Sequence, residues 1–266
     1  MNTANSNQFE VRLAVTKTEV LAAQKLRYQV FVKEFGAKVS KKNKIDAIEA
    51  DKFDYFCDHL ILIDKWAKDY SSQPNIVGTI RLMRSQIAES ALGFYTATEY
   101  NLDTLTEGTE KSVEIGRACV DKNYRRSIAI HFLWLGLAEY IISRDITLMF
   151  GVASFHGTAV SQFGSALTLL KEKYSAPKNL NFRAKKVGYV DMSIIPLDFL
   201  DYKKAMDQMP SLLKAYLRMG AQVSDGAFID TKFNTIDVGL MIITDMINKK
   251  YRDLYGRSKT KKESVA

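Results

Sequence analysis

The stretch SVEIGRACVDKNYRRSIAIHFLWLGLAEYI, residues 112–141, decides how this chain is read. SVEIGRACV (112–120) has the composition of a strand and carries Glu114 and Arg117. DKNYRRS is a tight basic turn, and residues 127–143 form a strongly apolar helix. A strand that turns sharply into a helix N-terminus presents unpaired N–H groups and a positive dipole end to an anion. Lys122, Arg125 and Arg126 add charge, with Ser127 as the expected N-cap. No glycine-rich loop is present, so the turn suits one phosphate supported by arginines better than a wrapped pyrophosphate. A solvated basic turn without a ligand accounts for the same residues equally well.

Simple alternation puts Glu114 and Arg117 on opposite faces of the strand. Gly116 between them is where a β-bulge fits, and a bulge brings both to one face while exposing backbone groups. An edge strand with a solvated Glu114 is the alternative.

Working outward, residues 18–35 set Val20, Leu21, Gln24, Tyr28, Phe31 and Phe35 at helical spacing, with Thr18 as N-cap and Gly36 as stop. HLILID (59–64), IVGTIRLM (76–83) and ITLMFGVAS (146–154) read as strands, the last a continuous apolar run suited to full burial. Residues 161–170 read as a short amphipathic helix, Tyr189 to Ile195 as a strand, Leu197 to Met206 as helical and 211–219 as a helix closed by Gly220. AQVSDGAFID and NTIDVGLMII are two further strands, with FNT near their turn. This order predicts an α+β fold: one domain over 10–245, an insertion around 176–210, and a basic tail over 246–266. No Rossmann fingerprint follows any strand.

Arg81 lies mid-strand among Val77, Thr79 and Met83, where a charge calls for a carboxylate partner. Glu49, Asp51 and Asp54 form E-x-D-x-x-D nearby, followed by Asp58. On spacing alone, an ion-pair scaffold holding a loop explains them as well as a substrate pocket does. His59, His131 and His156 are scattered, and no H-x-x-x-H or C-x-x-C spacing points to a metal site. Cys57 and Cys119 are too few for a disulfide framework, and nothing adjacent in sequence activates Cys119 as a nucleophile.

Composition sets further limits. A 47% hydrophobic content with 26% charged residues is that of a soluble globular protein, and a reducing cytoplasm is the expected location. The opening residues lack a signal-peptide pattern, and the apolar run Ile128 to Ile142 is too short to span a bilayer. The formal charge is +8, concentrated in Lys38, Lys41, Lys42 and Lys44 and in the tail from Lys249 to Lys262. Such an excess favours an acidic protein or an anionic membrane as partner; no recognised motif supports nucleic acid.

The order LRYQVF, E-x-D-x-x-D, GTIRL, EIGR resembles the acyl-homoserine-lactone synthases, a branch of the GNAT acyltransferase fold. FDYFCDHLILID, IVGTIRLMR, GFYTATEYNL, EIGRACVDKNYRRSIAIHFLWLGLAEYI, GVASFHG and PSLLKAYLRMGAQVSDGAFIDTKFNTIDV resemble more closely the L-ornithine Nα-acyltransferases, over about residues 25 to 243. One departure is His156, where the family pattern has proline.

The resemblance implies a GNAT fold: a central twisted, mostly antiparallel mixed sheet flanked by helices. It implies transfer of a 3-hydroxyacyl chain from acyl carrier protein to the α-amino group of L-ornithine, giving lyso-ornithine lipid. No bound cofactor is implied, since the donor is acyl-phosphopantetheine on the carrier protein. Arg27, Phe31, Glu49, Asp51, Asp54, Arg81, Glu114 and Arg117 match the family's positions, with Arg27, Asp51, Asp54, Arg81 and Arg117 as an ion-pair network shaping the acceptor pocket.

On that basis Glu114 is the expected base, directly or through water, and backbone N–H groups over Gly116 to Ala118 are the expected oxyanion donors. Arg125, Arg126 and Ser127 are expected to hold the pantetheine phosphate, and Phe155 to line the acyl cleft. Peripheral contact with the inner face of an anionic membrane follows from the basic surface. The rivals are an N-acyl amino acid or acyl-homoserine-lactone synthase using another amine, and a non-enzymatic carrier-protein or lipid binder on the same fold.

Overall fold

The computed structural model describes residues 7–67, 74–105, 111–125 and 128–247. These residues form two compact units. The first runs through Met83 and resumes at Ile115–Asp145; the second takes Arg84–Glu114 and continues from Ile146.

The first unit holds β1 (Phe9–Leu13), β2 (Asp58–Asp64), β3 (Ile76–Arg84) up to Met83 and β5 (Ser112–Val120) from Ile115 onward, in that spatial order. β1 and β2 pair antiparallel from Phe9↔Asp64 to Leu13↔Leu60, and β2 pairs antiparallel with β3. HLILID is apolar at nearly every position because helices cover both of its faces. Ile61 and Ile63 pack with Ala23 and Leu26 of helix α1 (Lys17–Arg27). Leu60 and Val11 instead meet helix α4 (Ala129–Ser143) at Gly136, where an added Cβ would sit 2.4 Å from Val11 Cγ2. Glycine at 136 therefore lets α4 lie against the strands.

β1 was not anticipated from the sequence. Helix α1 starts earlier than expected, because Thr16, not Thr18, is the N-cap. Its hydroxyl accepts the Glu19 N–H while the Glu19 carboxylate accepts the Thr16 N–H, a reciprocal capping box. The helix then widens into a π-helix over Tyr28–Glu34. A short, largely exposed helix, α2 (Lys41–Ile45), carries Lys41, Lys42 and Lys44 of the first lysine cluster. α4 begins at Ala129, with Ile128 at its N-cap position and no side-chain cap. Ser127, the expected cap, lies outside the described residues, as do Arg126 and the C-terminal lysines.

The second unit orders its strands β6 (Leu148–His156), β10 (Thr235–Ile243), β9 (Gln222–Asp230), β7 (Arg183–Ala184) and β4 (Tyr100–Asn101), with β8 (Tyr189–Val190) also on β9. The ladders are antiparallel except β7 with β9, giving the mixed, mostly antiparallel arrangement expected. β9 and β10 form a hairpin that starts at Thr235↔Asp230. Helices α3 (Ser85–Ser90), α5 (Gly164–Tyr174), α6 (Tyr202–Gln208) and α7 (Ser211–Met219) complete this unit. Its core holds Tyr100, Leu148, Phe150, Phe182 and Met241.

Two expectations here are corrected. The strand over 189–195 ends after Val190, because Asp191 Oδ1 accepts the Ser193 N–H (2.9 Å) and turns the chain. The helix expected from Leu197 begins at Tyr202, capped by Asp201, whose Oδ1 accepts the Lys204 N–H at 3.0 Å. Among the described residues no helix is long and apolar enough to cross a membrane.

Candidate active site

The E-x-D-x-x-D segment and three arginines converge in the first unit. Arg27, at the end of α1, is fully buried. Its Nε donates to Glu49 Oε2 (2.6 Å), and its two terminal nitrogens fork onto Asp54 (2.6 and 3.0 Å). Arg81 of β3 donates from Nη1 to Asp51 (2.7 Å) and Asp54 (3.1 Å), with its guanidinium 5.9 Å from the Phe53 ring centroid. Arg117 of β5 donates from Nε to Glu49 (3.2 Å) and from Nη2 to Asp51 (3.1 Å). Each acid is thus shared between two arginines, and three positive charges face three negative ones.

Burial opposes every one of these charges, and pairing overrides it. Burial lowers the Arg27 guanidinium, but Glu49 and Asp54 outweigh that and raise it. Burial raises the Glu49 carboxyl, while Arg117 and Arg27 bring it below its ordinary value. Asp54 is likewise pushed up by burial and held well below the carboxylate range by Arg27 and then Arg81. Gln24 Nε2 (3.3 Å) and the Asp51 N–H (3.0 Å) also donate to Asp54, and His59 Nε2 lies 3.0 Å from the Asp54 carbonyl oxygen. Burial depresses the His59 pKa. Gln24, Phe53 and His59 were not anticipated in the network, since only their contacts distinguish them from ordinary core residues.

β5 is irregular where a bulge was expected. Arg117 has φ 51°, a left-handed backbone that costs a residue with a Cβ about 1–3 kcal/mol. Gly116, Arg117 and Ala118 are the only partly exposed residues of β5; the other six are buried. A Cβ built on Gly116 would meet nothing within 4 Å. Ion pairs hold the Arg117 side chain, while open space borders the backbone just before it.

Glu114 and Arg117 take different partners. Glu114, in the second unit and buried, accepts the Tyr95 N–H at Oε2 (2.9 Å) and the Thr96 N–H at Oε1 (2.5 Å), which organises the aromatic 93–102 segment. A carboxylate has about four acceptor positions, so each oxygen keeps one beyond these bonds.

After β5, Arg125 Nε donates to the Val120 carbonyl oxygen (3.0 Å). Its terminal nitrogens fork onto Glu34, and its guanidinium lies 5.5 Å from the Phe35 ring centroid. The Glu34 hydrogen bond leads the causes that raise the Arg125 pKa. The Arg125 fork is therefore already taken by Glu34. Phe31 packs on the core that joins α1 to β2 and β3. Phe155 of β6 is fully buried against Phe163, at 5.1 Å between centroids. Cys119 is buried, and burial pushes its thiol up to about 12, the opposite of what a nucleophile requires.

Residues 26–135 match the acetyltransferase (GNAT) domain family. The L-ornithine N(alpha)-acyltransferase of Rhodobacter capsulatus is 40% identical over 249 residues, covering 94% of this chain and 95% of that protein. The L-ornithine N(alpha)-acyltransferase of Brucella abortus is 39% identical over 249 residues, covering 93% of this chain and 88% of that protein. Among solved structures, the AHL synthase LasI aligns over 93% of this chain and 95% of its own, with 16% identity and a TM-score of 0.48.

Proposed function

Because the chain belongs to the L-ornithine Nα-acyltransferases and is an acyltransferase of GNAT type, we propose that it moves a 3-hydroxyacyl chain from acyl carrier protein to the α-amino group of L-ornithine, releasing lyso-ornithine lipid. The observation that carries this reading is the identity to a named ornithine acyltransferase along 94% of the chain.

Aminolysis of a thioester needs a neutral amine, a stabiliser for the developing oxyanion and a seat for the donor arm. In this reading Glu114 takes the ammonium proton, directly or through one water, using the acceptor positions that Tyr95 and Thr96 leave open. The backbone of Gly116 to Ala118 lies along the thioester, an assignment supported by the open space beside Gly116 and the left-handed turn at Arg117. Asp51 has the most exposed side chain of the acidic three, at 13% against 3% for Glu49 and 6% for Asp54, and is the carboxylate most able to face an incoming ammonium. Arg125, with Arg126 and Ser127, holds the pantetheine phosphate once Glu34 yields. Phe155 lines the acyl path.

The donor is a protein-bound thioester and no resident cofactor is required. The exposed lysines of α2 offer charge complementary to an acidic carrier protein. The enzyme works in the cytoplasm and touches the anionic inner membrane peripherally, where its amphiphilic product leaves. Incubation with 3-hydroxypalmitoyl-carrier protein and a panel of amino acids, followed by mass spectrometry, tests the assignment. Acyl-ornithine is the expected amide. Product with another amine but none with ornithine keeps the acyltransferase and removes the acceptor.

A further inference from the structure

The second unit gathers three carboxylates that no local motif announces. Glu99 precedes β4, Asp230 ends β9 and Asp237 lies on β10, yet one oxygen of each falls within 4.8 Å of the others. Their exposures are 3%, 8% and 3%. The hairpin explains the meeting: Thr235 pairs directly with Asp230, and Asp237 lies two residues beyond Thr235 on the same strand face. Asp230 Oδ1 is taken by the Lys232 and Phe233 N–H groups (2.7 and 3.1 Å), which close the hairpin turn.

Two oxygens here point to a ligand independently of the acidic count. Asp237 Oδ1 is buried without a hydrogen-bond partner, and so is the hydroxyl of Thr235, a residue only 4% exposed. Buried polar atoms of this kind are ordinarily satisfied. Three buried carboxylates this close together call for a counter-charge.

We propose that Glu99, Asp230, Asp237 and Thr235 bind one hard divalent cation, Ca²⁺ in preference to Mg²⁺. The donors are all oxygens, which excludes a soft-metal site. Ca²⁺ accepts a flexible cage of six to eight oxygens, whereas Mg²⁺ demands near-ideal octahedral geometry and usually keeps several waters. A buried cage built from protein oxygens therefore suits the larger, less hydrated ion. The ion ties the β9–β10 hairpin to the segment before β4. Glu99 lies three residues beyond Thr96, whose N–H holds Glu114, so the cation steadies the turn that fixes this carboxylate.

The test uses the full chain stripped with chelator, titrated with CaCl₂ or MgCl₂ by calorimetry and thermal melting. One equivalent of Ca²⁺, a raised melting temperature and weaker Mg²⁺ binding are expected. Asp237→Asn is expected to weaken Ca²⁺ binding by more than about tenfold, because ligand charge sets affinity. The same variant in chelator melts no lower than the chelated wild type, since it removes a like charge; this separates ligand loss from misfolding. Absence of any Ca²⁺ isotherm in the wild type, or wild-type affinity in Asp237→Asn, overturns the site and leaves a shared proton as the counter-charge.

Discussion

Replacing Arg27 with Met gives the sharpest test of the ion network. The side chain is fully buried and makes three hydrogen bonds, one to Glu49 and two to Asp54. Met keeps much of the stem's volume, so the loss is mainly electrostatic. Removing one partner of a buried ion pair costs about 3–5 kcal/mol, because the remaining charge is stranded. At about 2–4 °C per kcal/mol for a chain of this size, melting falls by roughly 6–20 °C. The pH dependence identifies the cause. In the wild type Asp54 and Glu49 titrate below their ordinary values, so their contribution is complete above about pH 4.5 and is lost only as pH falls through the lowered native values. In the variant, burial acts on Asp54 with less opposition, so it takes up a proton at higher pH. Thermal melts at pH 8 and pH 5 should therefore show the deficit shrinking toward pH 5. Adding Asp54→Asn should recover part of the loss, because the stranded charge is gone. A deficit equal at both pH values, with strictly additive double-variant effects, would refute the electrostatic account and leave packing as the role of Arg27.

Three further outcomes test the proposed chemistry. Glu114→Gln should cut turnover about 10²–10⁴-fold while leaving carrier-protein binding within error, measured by steady-state assay and calorimetry; near-normal turnover removes Glu114 as base. Arg125→Ala should raise the KM for acyl carrier protein, and Glu34→Ala, which frees the Arg125 fork, should lower it; no movement in either relocates the phosphate seat. Gly116→Val should fold normally, since its Cβ meets nothing within 4 Å, yet lose most activity by occupying the donor path; full activity would put that path elsewhere.

Legibility in the sequence tracked how local the physical cause is. β2 could be read from composition because continuous burial needs a continuous apolar run, and α7 from its periodicity and its closing Gly220 at φ 105°. β1 escaped because FEVRL is short and half polar; its identity as a strand comes from pairing with β2. The strand expected beyond Val190 failed through a single Asp191 turn, a side chain competing with the ladder. The E-x-D-x-x-D network was accessible in part: three acids crowd six residues and Arg81 sits mid-strand among apolar neighbours, whereas Arg27 and Arg117 joined it only through the family resemblance. The Glu99–Asp230–Asp237 cluster was not: its members are up to 138 positions apart by number, 237 less 99, and meet only after β10 has paired with β9.

The network also accounts for the irregularity in β5. A left-handed Arg at position 117 is unfavourable by itself and persists only where its surroundings over-determine it. Glu49 and Asp51 supply that determination, since both hold the Arg117 side chain. Arg27 and Arg81 in turn hold the two carboxylates and Asp54 in place. A scaffold and an active-site element were rival readings of these residues from the sequence. The geometry makes them compatible: the ion pairs are structural for Glu49 and Asp54, and through Arg117 they fix the one stretch of β5 left partly open. Charge-neutralising substitutions deep in the network are therefore expected to alter the β5 backbone before they reach any substrate contact.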